Sequence, residues 1–280
     1  MKKHMAPALV MTCLMATGIA AHASVSTITL NRGDRTWLDL GKYGTWDGGI
    51  ASLAFSDLLV GALNIANIGV SAIGPGVLTD ADVVSVSAPI QSLTGVFDTI
   101  ESKFTATQVS TTGGAVMSAS ALLPSGKKNS ATTGGSLALT NLTVDLTTSS
   151  VYATLVGGNG VGTLDRQLIW HYHAIEGATS YQIFPYSADY KDNKLFELTI
   201  TPEAFDLFSR SLGLTAFGKS SMAGITDYGV ISSSMEAFAI PDVPHVPEPS
   251  TNVLMGLGLS GLAFAARRTS SSRSEPVSKV

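Results

Sequence analysis

The residues best suited to chemistry lie in Leu168-Ile169-Trp170-His171-Tyr172-His173-Ala174. On a strand, His171 and His173 project from one face and Tyr172 from the other. Two imidazoles one strand step apart can ligate a metal or a haem iron. A catalytic zinc site needs a third protein ligand, and only Asp165 and Glu176 stand close in sequence. The spacing favours a solvated pair on a sheet face. His171 and His173 are therefore a candidate ligand pair only, and no metal or cofactor is expected.

Other chemical patterns do not emerge. Asp189-Tyr190-Lys191-Asp192-Asn193 reads as a turn, without the alternating carboxylates and glycine of a calcium loop. Gly157-Gly158-Asn159-Gly160 precedes no Lys-Ser/Thr and opens no clear helix, so it makes a turn and not a phosphate cradle. There is no serine elbow, no catalytic carboxylate pair and no metal-spaced triad. The expectation is a protein that is not an enzyme.

The elements that would position these residues are β in character. Gly, Ser, Thr, Val and Ala are plentiful and charge is sparse, at 14% of the chain; with so much aliphatic content the low charge does not mean disorder. Between Ser24 and His245 stand 11 Lys+Arg and 19 Asp+Glu, a net of about −8. Phosphate contacts require clustered Lys and Arg, so nucleic acid is not an expected partner. The only cysteine is Cys13, inside the first apolar run. Disulfides and thiolate sites are thus excluded from the chain after Ser24, and stability there comes from packing.

Along the chain, Ser26 to Leu40 reads as one or two strands broken at Gly33-Asp34, and Gly41 to Gly49 as a turn-rich loop with Tyr43 and Trp46. Aromatics among glycines can form a sugar platform, but one ring lidding the core is the favoured reading. Ile50 to Val60 fits a short helix or a buried strand. Further strands are read at Val83–Ser87, Leu93–Phe97, Lys103–Val109 and Ala115–Ala121, followed by a polar loop over 124–129. Val151–Val156 should pair with Leu139–Leu146 as a hairpin. Thr201 caps a helix with Pro202 at its first position, Phe205, Phe208 and Leu212 on one face and Gly213 at its end. Met222 to Ile240 returns to strand pattern. Gly61 to Val70 resembles Gly135 to Val144 in register, which extends over 61–77 and 135–151 and suggests a duplicated strand–turn–strand unit. One copy being helical would end that idea.

The two ends carry an address. Lys2 and Lys3 precede an apolar run from Met5 to Ala21, and Ala21-His22-Ala23 offers small residues for cleavage before Ser24. That is the layout of a secretory signal peptide. Near the other end, Val246-Pro247-Glu248-Pro249-Ser250 is held extended by its prolines. An uncharged run from Val253 to Ala266 follows, then Arg267 and Arg268. Fourteen helical residues reach roughly 21 Å, short of a hydrocarbon core of about 30 Å. Gly256, Gly258 and Gly261 suit a membrane helix better than a soluble one. The arginines predict a cytoplasmic C-terminal side.

Pro-Glu-Pro, a short Gly-rich hydrophobic helix and a basic cluster, in that order, resemble the PEP-CTERM sorting signal of Gram-negative bacteria. The resemblance covers residues 246 to 268. It departs from many members in having Asn252-Val253 where an aromatic often stands, and in a tail of twelve residues after Arg268. It implies export, transient anchoring in the inner membrane, and processing by an exosortase-type sorting enzyme that acts at Val246, Pro247, Glu248, Pro249 and Ser250. Members often accompany extracellular polysaccharide or biofilm production, so polysaccharide is a further expected partner.

The expected organisation is a signal peptide over 1–23, a β-rich exported domain over 24–240 and a linker over 241–245. The sorting signal follows over 246–268, with a transmembrane helix over 251–266, and then a cytoplasmic tail over 269–280. The fold class expected is mainly β: an antiparallel, β-sandwich-like exported domain with one or two short helices. The function expected is that of a non-enzymatic structural or adhesive protein of the cell surface or extracellular matrix. The runner-up is a small-ligand module. The His171-Tyr172-His173 stretch, with the run from Leu137 through Val156 to the Phe205 helix, resembles haem-binding surface domains of bacterial uptake systems. A polysaccharide-acting enzyme ranks third and would need three close carboxylates around a cleft.

Overall fold

Residues 84–98 form one strand of 15 residues, β7 (Val84–Asp98), from which the rest of the sheet is built. Its inward positions are Val86, Ala88 and Ile90, then Leu93 and Gly95. The alternation slips at Gln91, where pairing with β8 (Lys103–Thr111) jumps from Ile90↔Thr111 to Ser92↔Ser110. One extra residue makes a β-bulge, so the inward positions pass from even to odd numbers across it. Pro89 lies where the neighbours change: β6 (Val77–Asp80) pairs only to Ser87, and β8 takes over from Ile90. A proline has no N–H to donate and fits the space between two ladders. The separate strands expected over Val83–Ser87 and Leu93–Phe97 are therefore one strand.

The computed structural model describes residues 25–38, 42–80, 83–98, 100–182 and 189–237. The signal peptide, linker, sorting motif, membrane helix and tail expected from the sequence lie outside them. Among the described residues no helix is long and apolar enough to cross a membrane.

Across its other edge β7 pairs β4 (Ile50–Phe55) through residues 85–89 and β1 (Val25–Asn31) through 92–98. Beyond β4 come β17 (Gly229–Ala237), β15 (Asp189–Phe196) and β13 (Ala174–Glu176). Beyond β8 come β10 (Gly135–Asp145), β11 (Ser150–Gly157), β12 (Gly162–His171) and β16 (Thr199–Ile200). A short strand, β14 (Ser180–Gln182), pairs β8, and β9 (Gly114–Ala119) bridges β10 and β5 (Ile68–Ile73). The fold is mainly β and antiparallel, as expected. In place of a two-sheet sandwich stands one curled sheet, of 15 strands among the described residues. The predicted hairpin is present, with Leu139 opposite Leu155 and Val144 opposite Val151. The break at Gly33-Asp34 is also present, between β1 and a separate hairpin of β2 (Arg35–Leu38) and β3 (Lys42–Thr45). Trp46 is fully buried in a smaller core with Ile90, Leu93 and Phe104, so this ring serves packing.

Three helices occur among the described residues, where one or two were expected. α1 (Asp57–Ile65) begins at Ser56, whose Oγ accepts from Leu59 N at 3.2 Å and donates to the Asp227 carbonyl at 2.6 Å. The ambiguous stretch Ile50 to Val60 is thus a strand and then a helix, divided by this cap. α2 (Pro202–Ser211) follows the sequence reading closely. Thr201 Oγ1 accepts from Ala204 N at 3.2 Å, Pro202 opens the first turn, and Gly213 exits at φ +59°. Phe208 and Leu212 are buried, Phe205 partly, and the helix lies against β10, β11 and β12. α3 (Ala216–Ala223) starts at Thr215, whose Oγ1 accepts from Gly218 N at 3.3 Å. It takes Met222 out of the strand expected from there to Ile240; β17 begins only at Gly229.

Two more expectations are corrected. Gly61 to Ile65 is helical in α1 while Gly135 to Val144 is strand, so the duplication does not exist. What the two stretches share is local: Asn67 and Asn141 both take positive φ, +50° and +53°, a conformation that asparagine tolerates. Asp189–Asn193 is not a turn but the start of β15, paired with β17 from Asp189↔Ala237 to Asn193↔Ser233. Its inward residues are Asn193 and Leu195, and its outward ones Asp192 and Lys194. An inward asparagine hides the period of two from a hydrophobicity pattern.

Candidate functional site

His171 and His173 flank Tyr172 at the end of β12. Both histidines are exposed, while Trp170 and Tyr172 are 3% and 6% exposed. The His171 Nδ1 is 3.2 Å from Ser150 Oγ, and the His173 Nδ1 donates to the Glu197 carbonyl at 3.0 Å. Asp165 and Glu176 are exposed as well. Among the described residues no group of three or more His, Cys, Asp or Glu is placed to hold a metal ion.

The inward face of the same strand leads to a different place. A β-bulge at Ile169 shifts the pairing of β12 from Val151↔Trp170 to Tyr152↔Leu168. Trp170 thereby lines a cavity of about 100 Å³ inside the curled sheet. One wall comes from β4, β17 and β15, with Leu53, Ile231 and Leu195. The other comes from β8, β9 and β10, with Val109, Met117 and Val144. Leu59 of α1, Phe208 of α2 and Met222 of α3 complete the lining. No carboxylate, imidazole, ammonium or guanidinium group belongs to it. Ile175 of β13 also lines it and, at 41% exposed, is the most solvent-exposed residue of that lining.

Three residues of this lining each carry a buried polar atom with no hydrogen-bond partner within the protein: Trp170 at Nε1, Tyr228 at Oη and Asn193 at Oδ1. Their residues are 3%, 2% and 8% exposed. An unpaired buried polar atom costs roughly 1–3 kcal/mol, and native interiors hold few of them. The Asn193 amide nitrogen is engaged, donating to Tyr181 Oη at 3.3 Å. Burial pushes the Tyr228 phenol up to about 12, and burial also raises Tyr181, partly offset by the bond from Asn193. Both are neutral phenols at pH 7.

The sequence pointed at the right strand but at its outer face. Trp170 was legible as the inward neighbour of the histidines. Asn193 was hidden in the supposed turn, and Tyr228 in the interval between α3 and β17, where no period operates.

No curated protein matches the chain. Solved structures that resemble it include the C-terminal domain of HtaA from Corynebacterium glutamicum, at 12% identity and a TM-score of 0.38, covering 68% of this chain and 97% of that one. Another is the haem-binding protein HtaB from the same organism, at 9% identity and a TM-score of 0.39, covering 76% and 98%. A likeness at that level assigns no function. Residues 245–268 match the family model described as the PEP-CTERM protein-sorting motif, so the stretch around Pro247-Glu248-Pro249 is a sorting signal of that kind.

Proposed function

We propose that this chain is an exported surface or extracellular-matrix protein without enzymatic activity. An exosortase-type enzyme would process it at the sorting motif while residues 251–266 hold it in the inner membrane. The observation that carries this reading is the PEP-CTERM motif at residues 245–268, joined to the basic-then-apolar start before Ser24. The body between them would remain on the cell surface or in the matrix, where polysaccharide is a candidate partner. The test is fractionation of the producing cells with an antibody to the body. Pro247→Ala with Pro249→Ala should leave the full-length form in the membrane fraction; unchanged release overturns the reading.

A second reading, that the body binds a small ligand, is favoured by the apolar interior with its three unpaired polar atoms. Haem is a separate candidate, held not in that interior but on the outer face at the exposed His171 and His173. A Soret band on adding hemin to the body, lost in His171→Ala with His173→Ala, supports the haem form; absence of a band removes it.

A further inference from the structure

The interior bears on what kind of ligand the small-ligand reading requires. A cavity of about 100 Å³ exceeds by several-fold the roughly 10–15 Å³ that one water needs. A buried water also needs two to four polar partners. Three unpaired atoms cannot satisfy water throughout this space, because most of the remaining lining is aliphatic and aromatic, and among its few hydroxyl residues Ser52 and Thr111 already bond to Ser87 Oγ and the Leu142 carbonyl. Nor are the residues that carry them gathered at one point of the backbone. Asn193 is paired with Ser233, five residues along the chain from Tyr228, or about 17 Å of extended strand. A small volume reaching along a strand is narrow, so it fits a chain or a slim linear aromatic better than a macrocycle. The lining carries no charge, and a carboxylate or ammonium buried there would go unpaired.

We propose that this interior is a binding site for an uncharged, single-chain apolar molecule with one hydrogen-bonding group. The chain would lie between the β4–β17 and β8–β10 walls and enter beside Ile175. The polar group would take up one of the two orphaned donors, Trp170 Nε1 or Tyr228 Oη. This rests on the small-ligand reading and narrows it.

The experiment uses the body, residues 24–240, and the neutral fluorescent probe N-phenyl-1-naphthylamine, displaced by 1-decanol, decanoate or decane at one pH above 7. Val144→Phe fills the cavity and should abolish probe binding while far-UV circular dichroism stays unchanged. Decanol should displace the probe better than decanoate or decane. Trp170→Phe and Tyr228→Phe keep the shape and lose a donor, and at least one should weaken decanol by roughly 3–10-fold, the worth of one hydrogen bond, with decane unaffected. No probe binding at all overturns the small-ligand reading together with this one. Probe binding that survives a folded Val144→Phe, or equal displacement by the three competitors, overturns the assignment of site and ligand class alone. If Val144→Phe fails to fold, the two phenylalanine variants decide: unchanged decanol affinity in both overturns the proposal.

Discussion

The indole of Trp170 meets the ring of Phe208 edge to face, with centroids 6.4 Å apart and planes at 88°. One residue belongs to β12 and the other to α2, and both line the interior. Such a pair contributes about 0.5–1.5 kcal/mol beyond its burial. It also decides how close the helix lies to the sheet. Phe208→Ala removes the ring and enlarges an existing cavity, so a loss of about 3–5 kcal/mol is expected. Urea unfolding followed by tryptophan fluorescence would show a lower midpoint at an unchanged slope.

The exit of α2 is held from outside the helix. Asn159 Nδ2 donates to the carbonyls of Gly134, Arg210 and Ser211 at 3.0, 3.2 and 3.1 Å. Asn159 itself sits at φ +51°. Its side chain therefore satisfies the last carbonyls of α2, and its backbone makes the turn between β11 and β12. Asn159→Gly keeps the turn and loses the cap, with an expected cost of about 1 kcal/mol. Asn159→Ala loses the cap and forces alanine into the left-handed region, so it should cost about 1–2 kcal/mol more. Equal melting temperatures for the two variants would contradict this division.

What the sequence revealed depended on whether local chemistry or distant partners decided each element. The Thr201-Pro202 start of α2 and the Gly213 exit are short-range chemistry, and both stand where the residues put them. The inward and outward sides of Trp170, His171, Tyr172 and His173 follow from a period of two. The strand over Val84–Asp98 reads as two pieces in the sequence because what carries it across Pro89 is its flanking strands, and those come from as far away as Ile50 on one side and Thr111 on the other. Gly61 to Val70 misled because Ser56, outside the compared stretch, starts a helix. The cavity was illegible for a related reason: its lining is drawn from most of the chain, and only closure of the sheet brings Leu53, Val144 and Trp170 to one surface.

Tyr228 gives the body an alkaline limit. Its phenol is raised by burial to about 12 from 10 in the unfolded chain. Below pH 10 both states keep the proton, and this contribution to stability is fully present. Between pH 10 and 12 only the unfolded state releases it, so stability falls as pH rises. At about 1.4 kcal/mol per pH unit the loss is of order 2–3 kcal/mol. Tyr181 and Tyr172 are raised as well, chiefly by burial, and act in the same direction. Tyr228→Phe should flatten the decline in urea midpoint between pH 10 and 12; an equal decline in both proteins would show that Tyr228 is not its source.

His171 and His173 should be removable without harm to the fold. Both are exposed, and water can replace their contacts to Ser150 Oγ and the Glu197 carbonyl. Ser150 Oγ keeps a second partner, donating to the Thr148 carbonyl at 2.9 Å. The double alanine variant is expected within about 0.5 kcal/mol of the parent, measured by thermal unfolding at pH 7. Any change in ligand binding by that variant would then report on the site and not on stability.

Glycines at the two ends of the α3–β17 connection should respond in opposite ways. Gly229 opens β17 at φ +138°, and a Cβ there would collide with the Ala54 carbonyl of β4. β17 and β4 are hydrogen-bonded neighbours, and both wall the interior. Gly229→Ala must either break that pairing or push the strands apart, so a loss above about 3 kcal/mol is expected. Gly224 closes α3 at φ −80° and faces open space. Alanine there limits only the unfolded chain, so Gly224→Ala should stabilise by about 0.4–1 kcal/mol. Calorimetric melting of the two variants would move in opposite directions. Probe binding should weaken only in Gly229→Ala, because of the two glycines only that one sets the spacing of neighbouring strands in a wall of the cavity.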